Sequence, residues 1–219
     1  MAFTLRVRGN SRIDADEVRR ALAVLADPQH GIQLQVAPYW AWRTFASADL
    51  DGAIAWLKEQ TPTGVYYALN PVPPGLTKRV VNADPLCRRW LLVDVDRNKT
   101  LEPDASATEA EHEAARSLAV RVMDHLTALG WPVPVLVDSG NGFHLLYRVD
   151  LPNDDTSRVR IKLTLQKLAL RFDGDRGSIG AECHDARRIS ALPGTWKRKG
   201  LASVVRPHRM AKLIGGPSA

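Results

Sequence analysis

Leu91-Leu92-Val93-Asp94-Val95-Asp96 is the stretch that decides how the chain folds. An apolar run closing on two acids one residue apart fits a strand that ends at a polar site. Side chains alternate faces along a strand, so Asp94 and Asp96 point the same way. Two neighbouring carboxylates repel unless something positive lies between them. A hard divalent cation of the Mg²⁺ type answers this, because it takes oxygen ligands and keeps positions open for phosphates. A buried strand that merely ends in Asp-x-Asp at a solvated loop has the same sequence, so the pair alone does not decide.

Downstream, Thr108 and Glu111 form a capping box, and Ala115, Leu118, Ala119, Val122, Leu126 and Leu129 mark one apolar helix face closed by Gly130. Val133 to Val137 predicts a strand, Ser139-Gly140-Asn141-Gly142 a tight turn in which Asn-Gly favours positive φ, and Phe143 to Val149 the returning strand. Asp154 caps a helix over about Ser157 to Phe172. Short strands follow at Ile179 to Cys183 and Arg188 to Leu192, the latter broken by Pro193-Gly194. The order strand, helix, hairpin, helix, strand predicts an antiparallel sheet with helices on one face, close to an RRM-like arrangement.

Upstream, the pattern reads strand, helix, strand, helix, strand. Phe3 to Val7 alternates. Asp14 and Glu17 open a helix with Val18, Leu22 and Leu25 inside, and Pro28 and Gly31 end it. Ile32, Leu34 and Val36 alternate again, Asp49 caps a helix with Leu50, Ile54 and Leu57, and Val65 to Leu69 is a strand. Between them, Pro38 to Phe45 reads as an aromatic-rich loop whose rings either pack on the core or stack bases. Pro71 to Pro85 reads as a long loop. We expect one domain over 1–212, made of a subdomain over 1–85 and a second over 86–212, with a flexible tail over 213–219.

The 219 residues suffice for one sizeable α/β domain. No apolar run approaches the roughly 20 residues that span a bilayer, and the first ten residues lack a signal-peptide core, so a cytoplasmic protein with no membrane partner is expected. Cys87 and Cys183 are the two cysteines, without Cys-x-x-Cys spacing, so no zinc site is expected. The net charge of +6 permits nucleic-acid binding. Lys197, Arg198 and Lys199 cluster, with Arg206, His208, Arg209 and Lys212 behind them, as a nucleic-acid surface or a solvated basic tail would have.

The turn adds chemistry to the acids. Glycines expose backbone N–H groups to a ligand. Ser139 offers a hydroxyl and His144 an imidazole, so 139–144 can cradle phosphate oxygens, or simply form a hairpin with a satisfied histidine. Arg188 suits a phosphate bidentately, or a surface salt bridge.

Together these segments resemble the archaeo-eukaryotic primase superfamily, most closely its bacterial and phage primase-polymerase branch. The resemblance rests on Asp94/Asp96, on Ser139 to His144, and on Arg188 to Gly200 with its Leu-Pro-Gly-Thr and Lys-x-Lys-Gly; Tyr66 to Pro71 and Leu151 to Asp155 also look like family segments. It implies an α+β primase catalytic core, an N-terminal α/β unit packed on an RRM-like sheet. It implies a DNA primase-polymerase that makes or extends primers on a single-stranded DNA template from dNTPs or NTPs, with Mg²⁺ or Mn²⁺ on Asp94 and Asp96. Ser139, Gly140, Asn141, Gly142, His144 and Arg188 would bind the nucleotide, Lys197 to Lys199 the nucleic acid, and a helicase domain or protein is a possible partner. An aromatic near the ribose, Tyr66 or Tyr67, would select the sugar.

The sequence departs from the family at one place. The third acid is missing where Gly180 stands. Glu182, two residues on and so on the same face of the expected strand, can replace it; Asp175 and Asp185 are weaker substitutes. A metal-dependent nuclease and a non-catalytic nucleic-acid-binding relative are the alternative readings.

Overall fold

A computed structural model describes residues 13–97, 102–174 and 177–216. Phe3 to Val7, Asp175 and the last three residues of the expected tail lie outside them.

The first half is helix, hairpin, helix, strand: α1 (Ala15–Leu25), β1 (Gly31–Ala37), β2 (Ala41–Ala46), α2 (Leu50–Lys58) and β3 (Gly64–Ala68). Asp14 caps α1 by accepting the Glu17 N–H, and Asp49 caps α2 through Gly52 N–H. The aromatic segment expected as a loop is instead the second arm of a hairpin. Trp40 makes its turn with a φ of +54°, and Phe45 is buried from β2. On β1, Ile32, Leu34 and Val36 go into the core, but the alternating Gln33 and Gln35 are buried too. The long loop after β3 covers them. Gln33 donates to Lys78 O and accepts from Val80 N–H, and Gln35 accepts from Arg79 Nε. Buried amides thus receive main-chain and side-chain partners in place of water.

The second half contains β4 (Cys87–Asp96), α3 (Glu109–Ala128), β5 (Val135–Asp138), β6 (Gly142–Pro152), α4 (Asp155–Phe172) and β7 (Ser178–Ile179). The Thr108–Glu111 capping box forms, and Gly130 closes α3 with a φ of +82°. The strands lie side by side in the order β5-β6-β4-β7, with every neighbouring pair antiparallel. That is the RRM-like order, with α3 and α4 on one face.

After β7 the chain departs from expectation. The strand does not run on to Cys183; it stops at Ile179, and Gly180 to His184 turn back on themselves. β8 (Ile189–Ala191) then crosses to the first sheet and pairs with β3, giving the order β2-β1-β3-β8. β9 (Trp196–Lys197) and β10 (Arg209–Met210) form a small hairpin, and β11 (Lys212–Gly215) returns to pair with β5. α1 fastens these returns: Asp14 N–H donates to Gly194 O, Glu17 accepts from Leu213 N–H, and Arg20 donates to Leu213 O. One continuous apolar core joins both sheets. Among the described residues no helix is long and apolar enough to cross a membrane.

Candidate active site

A cavity of about 430 Å³ opens between the two sheets. Its floor is the end of β4. Asp94 and Asp96 share a strand face, Asp94 opposite His144 and Asp96 opposite Gly142 on β6. His144 Nε2 stands 3.3 Å from Asp94 Oδ1, and Nδ1 stands 2.8 Å from Ser190 Oγ on β8. The imidazole is thus held at both nitrogens, once from each sheet.

The wall above the acids is basic. Arg97, Arg188, Lys197, Arg198 and Lys199 all line the cavity. Five cations against two carboxylates suit a polyphosphate. Lys197 Nζ lies 4.0 Å from the centroid of the Tyr66 ring and bonds its hydroxyl; Arg198 is anchored on Pro62 O, and Arg188 donates to Glu182 O while its Nε is buried without a partner.

The turn between β5 and β6 is also altered from the sequence reading. Gly140, not the Asn-Gly pair, takes the positive φ, at +90°. Its N–H is spent on Asp138 Oδ1, and the Gly142 N–H on Ser139 Oγ. The glycine amides therefore do not face a ligand. The donor that remains is a side chain: Asn141 accepts from Ala107 N–H through Oδ1, while its buried Nδ2 has no partner in the protein. An amide left unpaired at a polar cavity has a ligand or water to satisfy. Ser139, Asn141 and His144 line the cavity. The glycines serve packing. A Cβ on Gly142 would lie 2.2 Å from Val95 O, and one on Gly140 would lie 3.0 Å from Lys197 Cβ.

Of the two tyrosines considered for sugar selection, Tyr66 lines the cavity. Tyr67 points the other way and is 1% exposed, its phenol pushed up by burial. It is a core residue.

Glu182 is not on a strand and does not line the cavity. Its position comes from the turn: Oε1 sits 3.4 Å from where a Cβ on Gly180 would be, and that same point is 3.3 Å from Asp94 Cβ. Cys183 Sγ fills the remaining space, 3.8 Å from Asp94 Oδ2, its thiol pushed up by burial and then by the Asp94 charge. Among the described residues no three His, Cys, Asp or Glu side chains converge as a metal cluster. Asp94 and Asp96 nevertheless fit Mg²⁺ or Mn²⁺, since such ions are commonly held by one or two carboxylates, with waters and substrate phosphates completing the shell.

No family model and no curated protein matches the chain. Solved structures do. The primase RepB′ superposes on 92% of the chain at 16% identity with a TM-score of 0.50; the chain spans 56% of that protein's length. The polymerase domain of Mycobacterium tuberculosis Ligase D, solved in complex with DNA, superposes on 89% with a TM-score of 0.53, also at 16% identity, and 79% of that domain is covered.

The chain has the archaeo-eukaryotic primase fold.

Within this primase fold, the cavity gathers residues that the sequence reading left out. Arg97, 2% exposed, is held by Ala105 O and lies 3.5 Å from Glu111. A basic residue directly after Asp-x-Asp was its only signal. Ser190 had none, because its partner His144 lies 46 residues away in sequence.

Proposed function

We propose that this primase-fold protein carries out template-directed nucleotidyl transfer, joining nucleotides into primers or extending them on single-stranded DNA. What carries the reading is the cavity itself, in which a carboxylate pair on β4 shares the lining with Arg97, Arg188 and the Lys197 to Lys199 run. Its volume lies in the range of small-ligand sites. The fold likeness to a primase and to a polymerase domain supports the same class.

In this reading Asp94 and Asp96 hold one or two Mg²⁺ or Mn²⁺ ions. When bound, such ions polarise the α-phosphate, favour ionisation of the attacking 3′-hydroxyl and neutralise the departing pyrophosphate. The chain's own groups position the substrate. Asn141 Nδ2 and the Arg188 guanidinium donate to phosphate oxygens, and Lys197 and Lys199 supply charge along the triphosphate and template. His144 is kept in one orientation by Ser190, beside Asp94. Tyr66, which lines the cavity, meets the sugar. Glu182, held by the turn over Gly180 outside the cavity, adds negative charge near Asp94 instead of a third metal ligand.

The test is primer synthesis on single-stranded DNA with Mg²⁺ or Mn²⁺ and either dNTPs or NTPs, comparing the wild type with Asp94→Asn. Product from the wild type alone is the expected result. Product from neither, with DNA binding intact in both, would favour a binding protein of the same fold, the reading that Gly180 supports. DNA cut in the presence of metal but without nucleotides would make it a nuclease.

A further inference from the structure

α4 carries two apolar faces, and the fold uses one. Ile161, Leu165 and Leu168 are buried against the core. With about 100° of turn per residue, Val159, Leu163 and Leu170 fall together on the opposite side, within an arc of about 40°. They are 44%, 50% and 91% exposed. Single exposed leucines are ordinary on a protein surface, but a stripe aligned along one helix marks an unpartnered face. Beside the stripe, α3 and α4 frame a groove of about 540 Å³. Leu126 and Leu168 lie buried at its base, and Leu129, Trp131 and Leu170 line it with more exposed surface.

Charge decides what fits there. Arg160, Lys162, Lys167 and Arg171 flank the stripe and the groove, and among the described residues no carboxylate lies within ion-pair distance of any of them. The single acid of α4, Asp155, is bound to Arg158. A second copy of the chain would set like charge against like. Nucleic acid would meet the cations but offer the leucines nothing to bury against. An interfacial membrane helix needs a broad apolar face with large side chains, and three aliphatic residues on a narrow arc do not supply it. An acidic amphipathic helix satisfies both features, with apolar anchors on the stripe and carboxylates on its flanks.

We propose that the outer face of α4 and its groove dock an acidic amphipathic segment of a partner protein. This surface lies on the helix-covered face of the second sheet, away from the cavity, so a docked partner leaves the nucleotide site open. The inference stands apart from the nucleotidyl-transfer reading.

The test uses the whole chain and a fluorescent helical peptide with leucines at i, i+4, i+7 and i+11 and glutamates beside them, read by anisotropy. Saturable binding is expected, weakened at least about tenfold by the double change Leu163→Glu and Leu170→Glu, and also by Lys167→Glu with Arg171→Glu. These positions are exposed, and unchanged thermal unfolding confirms that the variants are folded. Four results would overturn the proposal: no saturable binding, equal binding of a peptide with lysines in place of glutamates, undiminished binding to the leucine variant, or displacement of the peptide by single-stranded DNA or anionic phospholipid vesicles.

Discussion

Asp94 and His144 face each other across the β4–β6 ladder, carboxylate Oδ1 3.3 Å from imidazole Nε2. The pair is set by backbone register, not by loop conformation. The carboxylate and the ring are therefore both oriented by the sheet, which under the proposed nucleotidyl transfer would meet the condition for electrostatic catalysis without reorganisation.

Asp94→Asn and Asp96→Asn keep the side-chain shape and remove the charge. A lost metal-holding carboxylate withdraws several kcal/mol of transition-state stabilisation, so primer synthesis is expected to fall about 10³-fold in each. Glu182→Gln, which changes a group outside the cavity, is expected to fall less, about tenfold. Single-turnover rates with saturating Mn²⁺ check the ranking; full activity in Glu182→Gln would remove it from the site.

Gly142 has no room for a methyl group, because the clash is with main chain that cannot rotate away. Gly142→Ala should destabilise the fold by about 1–3 kcal/mol, the cost of overpacking. Thermal unfolding should then come roughly 5 °C earlier. Gly174→Ala, where a Cβ meets nothing within 4 Å, serves as the control.

The basic wall predicts a salt signature. If Lys197 and Lys199 each neutralise a phosphate of the single strand, Lys197→Ala with Lys199→Ala should flatten the slope of log K against log salt by roughly 1.4, about 0.7 per contact. Titrations by anisotropy across a salt series measure it. An unchanged slope would put the strand elsewhere.

Glu111 links stability to pH. Burial pushes its carboxyl up, but the Arg206 hydrogen bond, the Thr108 N–H and the Arg97 charge outweigh this and leave it below the usual range. A group whose folded pKa is depressed contributes stability above its unfolded value, about 4.3, and loses it as the pH falls through the folded one. Glu111→Gln should therefore melt earlier than wild type at pH 7, and the gap should close below about pH 4. Calorimetric scans at the two pH values would show it.

Tyr66 and Tyr67 separate cleanly. Tyr66→Ala should change the ratio of dNTP to NTP incorporation by about tenfold, the worth of one lost contact of order 1.4 kcal/mol. Tyr67→Phe should leave the ratio alone, since that ring is in the core. Competition between the two nucleotide pools reads the ratio directly.

Local physics was legible in the chain. The Thr108–Glu111 box, the Asp14, Asp49 and Asp154 caps, the place of the 139–142 turn though not the residue that takes its positive φ, and the Asp94/Asp96 face each follow from residues a few positions apart. What escaped was set by distant partners. Pro38 and its aromatic neighbours concealed β2, which is stabilised by pairing with β1. The destination of β8 depends on β3, more than a hundred residues earlier. Gln33 and Gln35 alternate with the apolar residues of β1, and only the folded loop above them shows why they are buried. Glu182 was placed on a strand because nothing local announces that the ladder stops at Gly180.

The crossing of β8 has a bearing on synthesis of the chain itself. The acids of β4 and their partner His144 leave the ribosome long before Ser190, Lys197 and Lys199, yet the cavity has no far wall until β8 has been threaded beside β3. A nascent or prematurely terminated chain therefore holds the carboxylate pair without Arg188, Lys197 and Lys199 on the other side of the cavity. Because β8 pairs with β3, complementation of two separately made fragments would have to rebuild a sheet, not merely dock two finished lobes.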